Sequence, residues 1–103
     1  MKISSKITNG TLYIALYGEL DESCAIYVRS RLDALFDTPG LTKVVLDMAG
    51  VTFMDSTGIG MLIGRYKVLK GKNLPLLLSS PSAVVDKLLR LSGIYELMPK
   101  INF

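Results

Sequence analysis

The sequence predicts a single α/β domain: a mixed, mostly parallel β-sheet behind an N-terminal hairpin, with helices packed on the sheet. Three observations predict it. The 103 residues leave room for one domain and no more, taken as 1–103. Asn9-Gly10 separates two β-rich runs, the strongest short-range signal for a hairpin. Beyond it, short apolar runs alternate with helical-period stretches, giving the order β-β-α-β-α-β-α-β.

Residues 3–8 and 11–17 form the hairpin strands, and Gly18-Glu19-Leu20-Asp21 ends the second. Over 22–36, Cys24, Val28, Leu32 and Leu35 recur at helical spacing, with Asp21 placed to cap. Asp37-Thr38-Pro39-Gly40 is a turn, and the β-branched run 43–48 suits a buried strand. Residues 57–70 read as a helix with Ile59, Leu62, Ile63, Tyr66 and Leu69 facing the core, and Gly58, Met61, Arg65 and Val68 facing away. Residues 74–78 are a further apolar strand. Ser80-Pro81 opens a third helix with Pro81 at its first position, carrying Val84, Val85, Leu88 and Leu89. Gly93 stops it, and an extended segment over 96–101 closes the sheet.

Composition narrows the chemistry. The chain has no histidine and one cysteine, Cys24, so neither a Cys/His zinc site nor a Ser-His-Asp relay can be built within it. No cofactor or metal is expected, and the chain is read as a binding protein, not an enzyme. The net charge of +3 is scattered. Lys67, Lys70 and Lys72 gather where a helix ends, where cations suit the helix dipole. Without interleaved aromatic and basic residues, direct nucleic-acid binding is not expected. No apolar run approaches the ~18 residues of a membrane span, which argues against membrane insertion. The N-terminus lacks the apolar stretch of a secretion signal, and a cytoplasmic location is expected.

The segment from Gly50 to Gly60 carries the functional information, at the carboxyl end of a predicted strand where α/β sheets place their sites. Gly58, Gly60 and Gly64 fall in one helix at about 0.8–1 kcal/mol each relative to alanine. Close packing on the sheet is the plain account of Gly60 and Gly64, whereas Gly58 offers a flat surface to a partner. The spacing does not match a dinucleotide fingerprint, and there is no phosphate-binding Gly-Lys-Ser/Thr loop. Gly60 and Gly64 have the spacing of a membrane dimer motif, but Arg65 and Lys67 exclude a membrane helix. Ser56 is expected at the N-cap, where its hydroxyl accepts from a free backbone N–H. A phosphate there would be stabilised by the helix dipole and would add a charge of about −1.5 to −2. Asp55 beside it is the acceptor for a cation or hydroxyl on a partner. Two anionic groups at one spot would then repel an acidic or tight-fitting surface, which makes a switch. Met61, read as exposed beside Gly58, suits a protein contact.

The string Phe53-Met54-Asp55-Ser56-Thr57-Gly58-Ile59-Gly60, followed by Gly64-Arg65-Tyr66, closely resembles the signature of bacterial anti-sigma factor antagonists, the STAS-domain family. Gly18-Glu19-Leu20-Asp21 resembles that family's second-strand ending, and Ser80-Pro81 with Val84, Leu88 and Ser92-Gly93 resembles its third helix. The resemblance runs from about Thr11 to Met98. It implies binding to an anti-sigma factor that is also a GHKL-type serine kinase, freeing a sigma factor for transcription. It implies phosphorylation on Ser56, release of the complex, and recovery by a PP2C-type phosphatase. Asp55 is then the essential neighbour, and Gly58, Ile59 and Met61 are part of the docking face. Asp21 and the Gly18 loop are rim contacts, and Thr57 offers a second hydroxyl beside Ser56. Many relatives continue past the last strand into a further helix, whereas this sequence stops at Phe103. A second reading is a STAS subunit of a membrane transport assembly, docking the same helix start on an ABC ATPase without phosphorylation.

Overall fold

Asn9 and Gly10 adopt φ of 52° and 81°, the left-handed pair that a two-residue hairpin turn requires. They join β1 (Lys2–Thr8) to β2 (Thr11–Leu20), antiparallel from Thr8↔Thr11 to Lys2↔Tyr17. The computed structural model describes residues 1–101. After the hairpin come α1 (Ala25–Phe36), β3 (Lys43–Met54), α2 (Ser56–Gly71), β4 (Leu76–Ser79) and α3 (Ala83–Ser92). A 3₁₀ turn, Ile94–Glu96, leads to the short β5 (Lys100–Ile101). Among the described residues five strands lie in the order β1-β2-β3-β4-β5, parallel from β2 onward.

That order explains where the helices sit. Each parallel crossover steps to the next position in the same direction, and right-handed crossovers of this kind return their helices to one face. One cluster accordingly joins Leu12, Ile14 and Leu16 of β2, Val44, Leu46 and Met48 of β3, and Leu76 and Leu78 of β4 to the helices. Val28, Leu32 and Phe36 come from α1, Leu62 and Leu69 from α2, and Val85 and Leu89 from α3. Each such side chain contributes about 1.5–3 kcal/mol on burial.

Several boundaries differ from the sequence reading: β2 runs on through Gly18 to Leu20, and of the extended segment expected over 96–101 only Lys100–Ile101 is a strand, Glu96 belonging to the 3₁₀ turn. The strand expected over 43–48 continues to Met54, because two register shifts against β2 absorb extra residues beside Gly50 and before Phe53. Such bulges bend a strand and re-aim its end, here toward the start of α2. Helix α1 begins at Ala25 and not at Glu22, with Cys24 in the cap position and no side-chain cap. Asp21 does not cap it; its Oδ1 accepts from the Ser23 N–H at 2.9 Å and hydroxyl at 2.6 Å in a local turn. At α3 the cap is Ser82, whose Oγ accepts from Val85 N, so Pro81 precedes the helix; Gly93 ends it at φ 78° as expected.

Asp86 on α3 fastens the C-terminal elements. Its carboxylate accepts from Tyr95 Oη at 2.6 Å and Lys100 Nζ at 3.0 Å, and pairs with Arg90 one turn along. The Tyr95 hydroxyl, then Arg90 and Lys100, hold the Asp86 carboxyl well below the usual carboxylate range. Burial, reinforced by Asp86, pushes the Tyr95 phenol up from its ordinary value.

Candidate functional site

The end of β3 delivers Asp55 in an extended conformation, φ −121° and ψ −171°. This geometry turns its carboxylate back over the first turn of α2. Oδ1 accepts from Thr57 N at 2.9 Å and Gly58 N at 3.1 Å, and the Asp55 carbonyl accepts from Ile59 N. Asp55 is therefore the N-cap, a role the sequence reading gave to Ser56. Ser56 is instead the first helical residue, and it is exposed. The reason is local. The acidic side chain one residue earlier already satisfies the orphan N–H groups, leaving the Ser56 hydroxyl outside the capping geometry.

The face of α2 expected to point outward also differs. Gly58, Met61 and Arg65 are buried, while Ile59, Ile63 and Tyr66 are half-buried. Helix α2 packs on the sheet and also against α1, so its buried stripe is wider and rotated toward α1. Gly58 is the point of closest approach: a Cβ there would lie 2.6 Å from the Leu20 carbonyl oxygen and 2.7 Å from Met54 Cγ. Gly58 thus serves internal packing, and Met61 is largely buried in the core cluster. Gly60 and Gly64 reverse in the opposite sense, since nothing lies within 4 Å of a Cβ at either.

Arg65 reaches from α2 to α1. Its Nη1 donates to Asp33 Oδ2 at 3.0 Å and to the Arg29 carbonyl at 3.5 Å. Burial, opposed by Asp33 and assisted by the Arg29 charge, lowers the Arg65 pKa from its ordinary value.

Asp21 and Asp55, distant in sequence, line one open hollow of about 590 Å³ with Glu22, Ser23 and Phe53. The Ser23 hydroxyl is the chief cause that lowers the Asp21 pKa, so Asp21 is an ionised acceptor at neutral pH. Phe53, 48% exposed, also lines this acidic mouth. Phe53 stands in the signature string without an expected role of its own, and Glu22 and Ser23 join the site only in the fold. The available signal was a large aromatic two residues before a helix-capping acid, at the carboxyl end of a strand. Among the described residues no group of three or more His, Cys, Asp or Glu could hold a metal ion. No helix there is long and apolar enough to cross a membrane.

The chain is similar to known proteins over nearly its whole length. The STAS domain family model matches residues 2–102. An anti-sigma F factor antagonist from Paenibacillus polymyxa is 31% identical over 99 residues, covering 96% of this chain and 85% of the relative. The structure of the anti-sigma factor antagonist SpoIIAA in its unphosphorylated form superposes with a TM-score of 0.78 at 28% identity, covering 97% of this chain and 88% of that one. The Bacillus cell fate determinant SpoIIAA in its phosphorylated form gives 0.71 at 26% identity, covering 97% and 91%. With the family model spanning nearly its whole length, and its fold superposing on these structures, the chain belongs to the STAS domain family.

Proposed function

We propose that this chain is an anti-sigma factor antagonist, a binding protein that docks an anti-sigma factor of the GHKL serine-kinase type around Asp21, Asp55 and Ser56. Phosphorylation of Ser56 ends that binding, and a PP2C-type phosphatase restores it. By this switch the chain regulates sigma-factor-dependent transcription.

One observation carries the reading: Ser56 is exposed at the first position of a 16-residue helix whose capping is done by its neighbour. A phosphate can be added there without removing a contact that the fold depends on. The helix dipole favours the added charge within the first turn. The same phosphate stands beside the Asp55 carboxylate and the acidic mouth formed with Asp21 and Glu22. The fold tolerates it and the docking surface does not. The relatives support this reading, since they are named as antagonists of anti-sigma factors and SpoIIAA has been solved in both phosphorylated and unphosphorylated forms. Thr57 is half-buried, with its N–H held by Asp55, so Ser56 is the better acceptor.

The test is incubation with the anti-sigma kinase of the same genome and ATP, followed by phosphopeptide mapping and affinity measurement. Phosphate is expected on Ser56. Ser56→Ala is expected to bind and resist inactivation, and Ser56→Asp to bind at least about tenfold more weakly. Phosphate elsewhere, or equal affinity for all forms, would overturn the switch.

A further inference from the structure

Helix interiors carry Gly60 and Gly64 at a cost of about 0.8–1 kcal/mol each, yet nothing inside the protein packs where their Cβ atoms would be. Neither residue has a positive φ that would call for glycine. Both open onto a groove of about 290 Å³ between α1 and α2. Ile26, 73% exposed, forms one rim of it, and Thr57, the residue after Ser56, lies along it.

The groove is also positively charged. Arg65 and Arg29 both line it, and Asp33 is the one carboxylate paired with either among the described residues. The Arg65 side chain is only 8% exposed; its Nη1 is held by Asp33 Oδ2, while its Nε, like Asp33 Oδ1, has no hydrogen-bond partner among the described residues. Arg29 is exposed and forms no ion pair among them. A bare backbone floor, an aliphatic rim and an uncompensated guanidinium together select one kind of guest.

We infer that this groove seats an acidic, aliphatic segment of the partner protein, its backbone over Gly60 and Gly64, an aliphatic side chain against Ile26 and a carboxylate on Arg29. The inference rests on the proposed function and names the chemistry of the partner's contact. Absent side chains let two backbones approach closely, which offsets the helix cost of the glycines in the complex. The carboxylate also gives the switch a target, because a dianion on Ser56 beside Thr57 repels it at the groove's edge.

The test is the affinity of the full chain for the anti-sigma factor of the same genome, measured by calorimetry. Arg29→Glu, at an exposed residue, and Gly64→Leu, at a half-buried glycine whose Cβ would meet nothing within 4 Å, are expected to weaken binding about tenfold or more. Lys43→Glu makes the same charge change at the opposite end of β3 and is expected to bind as the parent does. Parent-like binding by Arg29→Glu and Gly64→Leu overturns the groove and leaves the antagonist reading standing. If the parent chain itself fails to bind the anti-sigma factor, the antagonist reading falls, and the groove is decided by amide shifts. Acetyl-Leu-Glu-Leu-amide must then shift the Gly60 and Gly64 amides while acetyl-Leu-Lys-Leu-amide and inorganic phosphate do not. No shift, or equal shifts with all three, overturns it.

Discussion

The Gly58 backbone lies directly beneath the carbonyl oxygen of Leu20, so close that a single methyl group would sit 2.6 Å from it. The end of β2 and the first turn of α2 are therefore fixed to each other by the absence of a side chain. Overpacking costs about 1–3 kcal/mol, while alanine in place of glycine in a helix returns about 1 kcal/mol. Because a backbone oxygen cannot swing aside, the clash wins. Gly58→Ala is expected to destabilise by about 1–2 kcal/mol in urea denaturation. Gly60→Ala and Gly64→Ala meet open space and are expected to stabilise by about 0.5–1 kcal/mol each.

Capping gives a second contrast. Asp55 Oδ1 holds two N–H groups of α2 and Ser56 holds none. Asp55→Ala is expected to cost about 1 kcal/mol, whereas Ser56→Ala stays within about 0.5 kcal/mol of the parent. A larger loss at Ser56 than at Asp55 in denaturant titrations would show that the cap is assigned to the wrong residue.

The pair between Arg65 and Asp33 is unequal, with side-chain exposures of 8% and 41%. Removing the exposed acid strands a buried cation, while removing the cation frees an acid that water can reach. Asp33→Ala is expected to cost about 1–2 kcal/mol, and Arg65→Met less than about 1 kcal/mol. Melting of the two single variants and the double variant checks the order.

The Asp86–Tyr95 contact sets limits on both sides of neutrality. Asp86 has a lowered pKa in the fold, so its stabilisation is complete above the unfolded value near about 4 and is lost as pH falls through the depressed folded value. Tyr95 has a raised pKa, so its contribution is complete below about 10 and is lost as pH rises toward the folded value. Tyr95→Phe is expected to flatten the alkaline limb of a stability-against-pH curve, and Asp86→Asn the acid limb. Unchanged limbs would remove the contact from the stability of the C-terminal elements.

Much of the architecture was legible because its signals are local. Asn9-Gly10 specifies its own turn, the apolar periods separate strand from helix, and Gly93 takes the left-handed end of α3. What was not legible depends on pairing. The register shifts that carry β3 on to Met54 are set by β2, and no pattern within residues 43–54 announces them. The outward face of α2 was misread for a similar reason: Arg65 looks like a solvent residue until Asp33 of α1 is placed beside it. At the site, the neighbouring pair Asp55 and Ser56 was plain, but which of them caps depends on backbone angles. The roles of Gly58 and Gly64 were exchanged because glycine alone does not reveal which side of it is crowded.

The strands stand side by side in the same succession in which a ribosome would make them. Each one emerging can therefore join the outer margin of what has already assembled, and none has to be threaded between neighbours that are already joined. Nascent chains need not wait for their last residues before most of the architecture exists. The strand at Lys100–Ile101, held among the described residues by two paired positions and the tether from Asp86, is added last. It is also the first to be released under strain, so early amide exchange should begin there, while Ile14 and Leu46 at the centre exchange only with global unfolding.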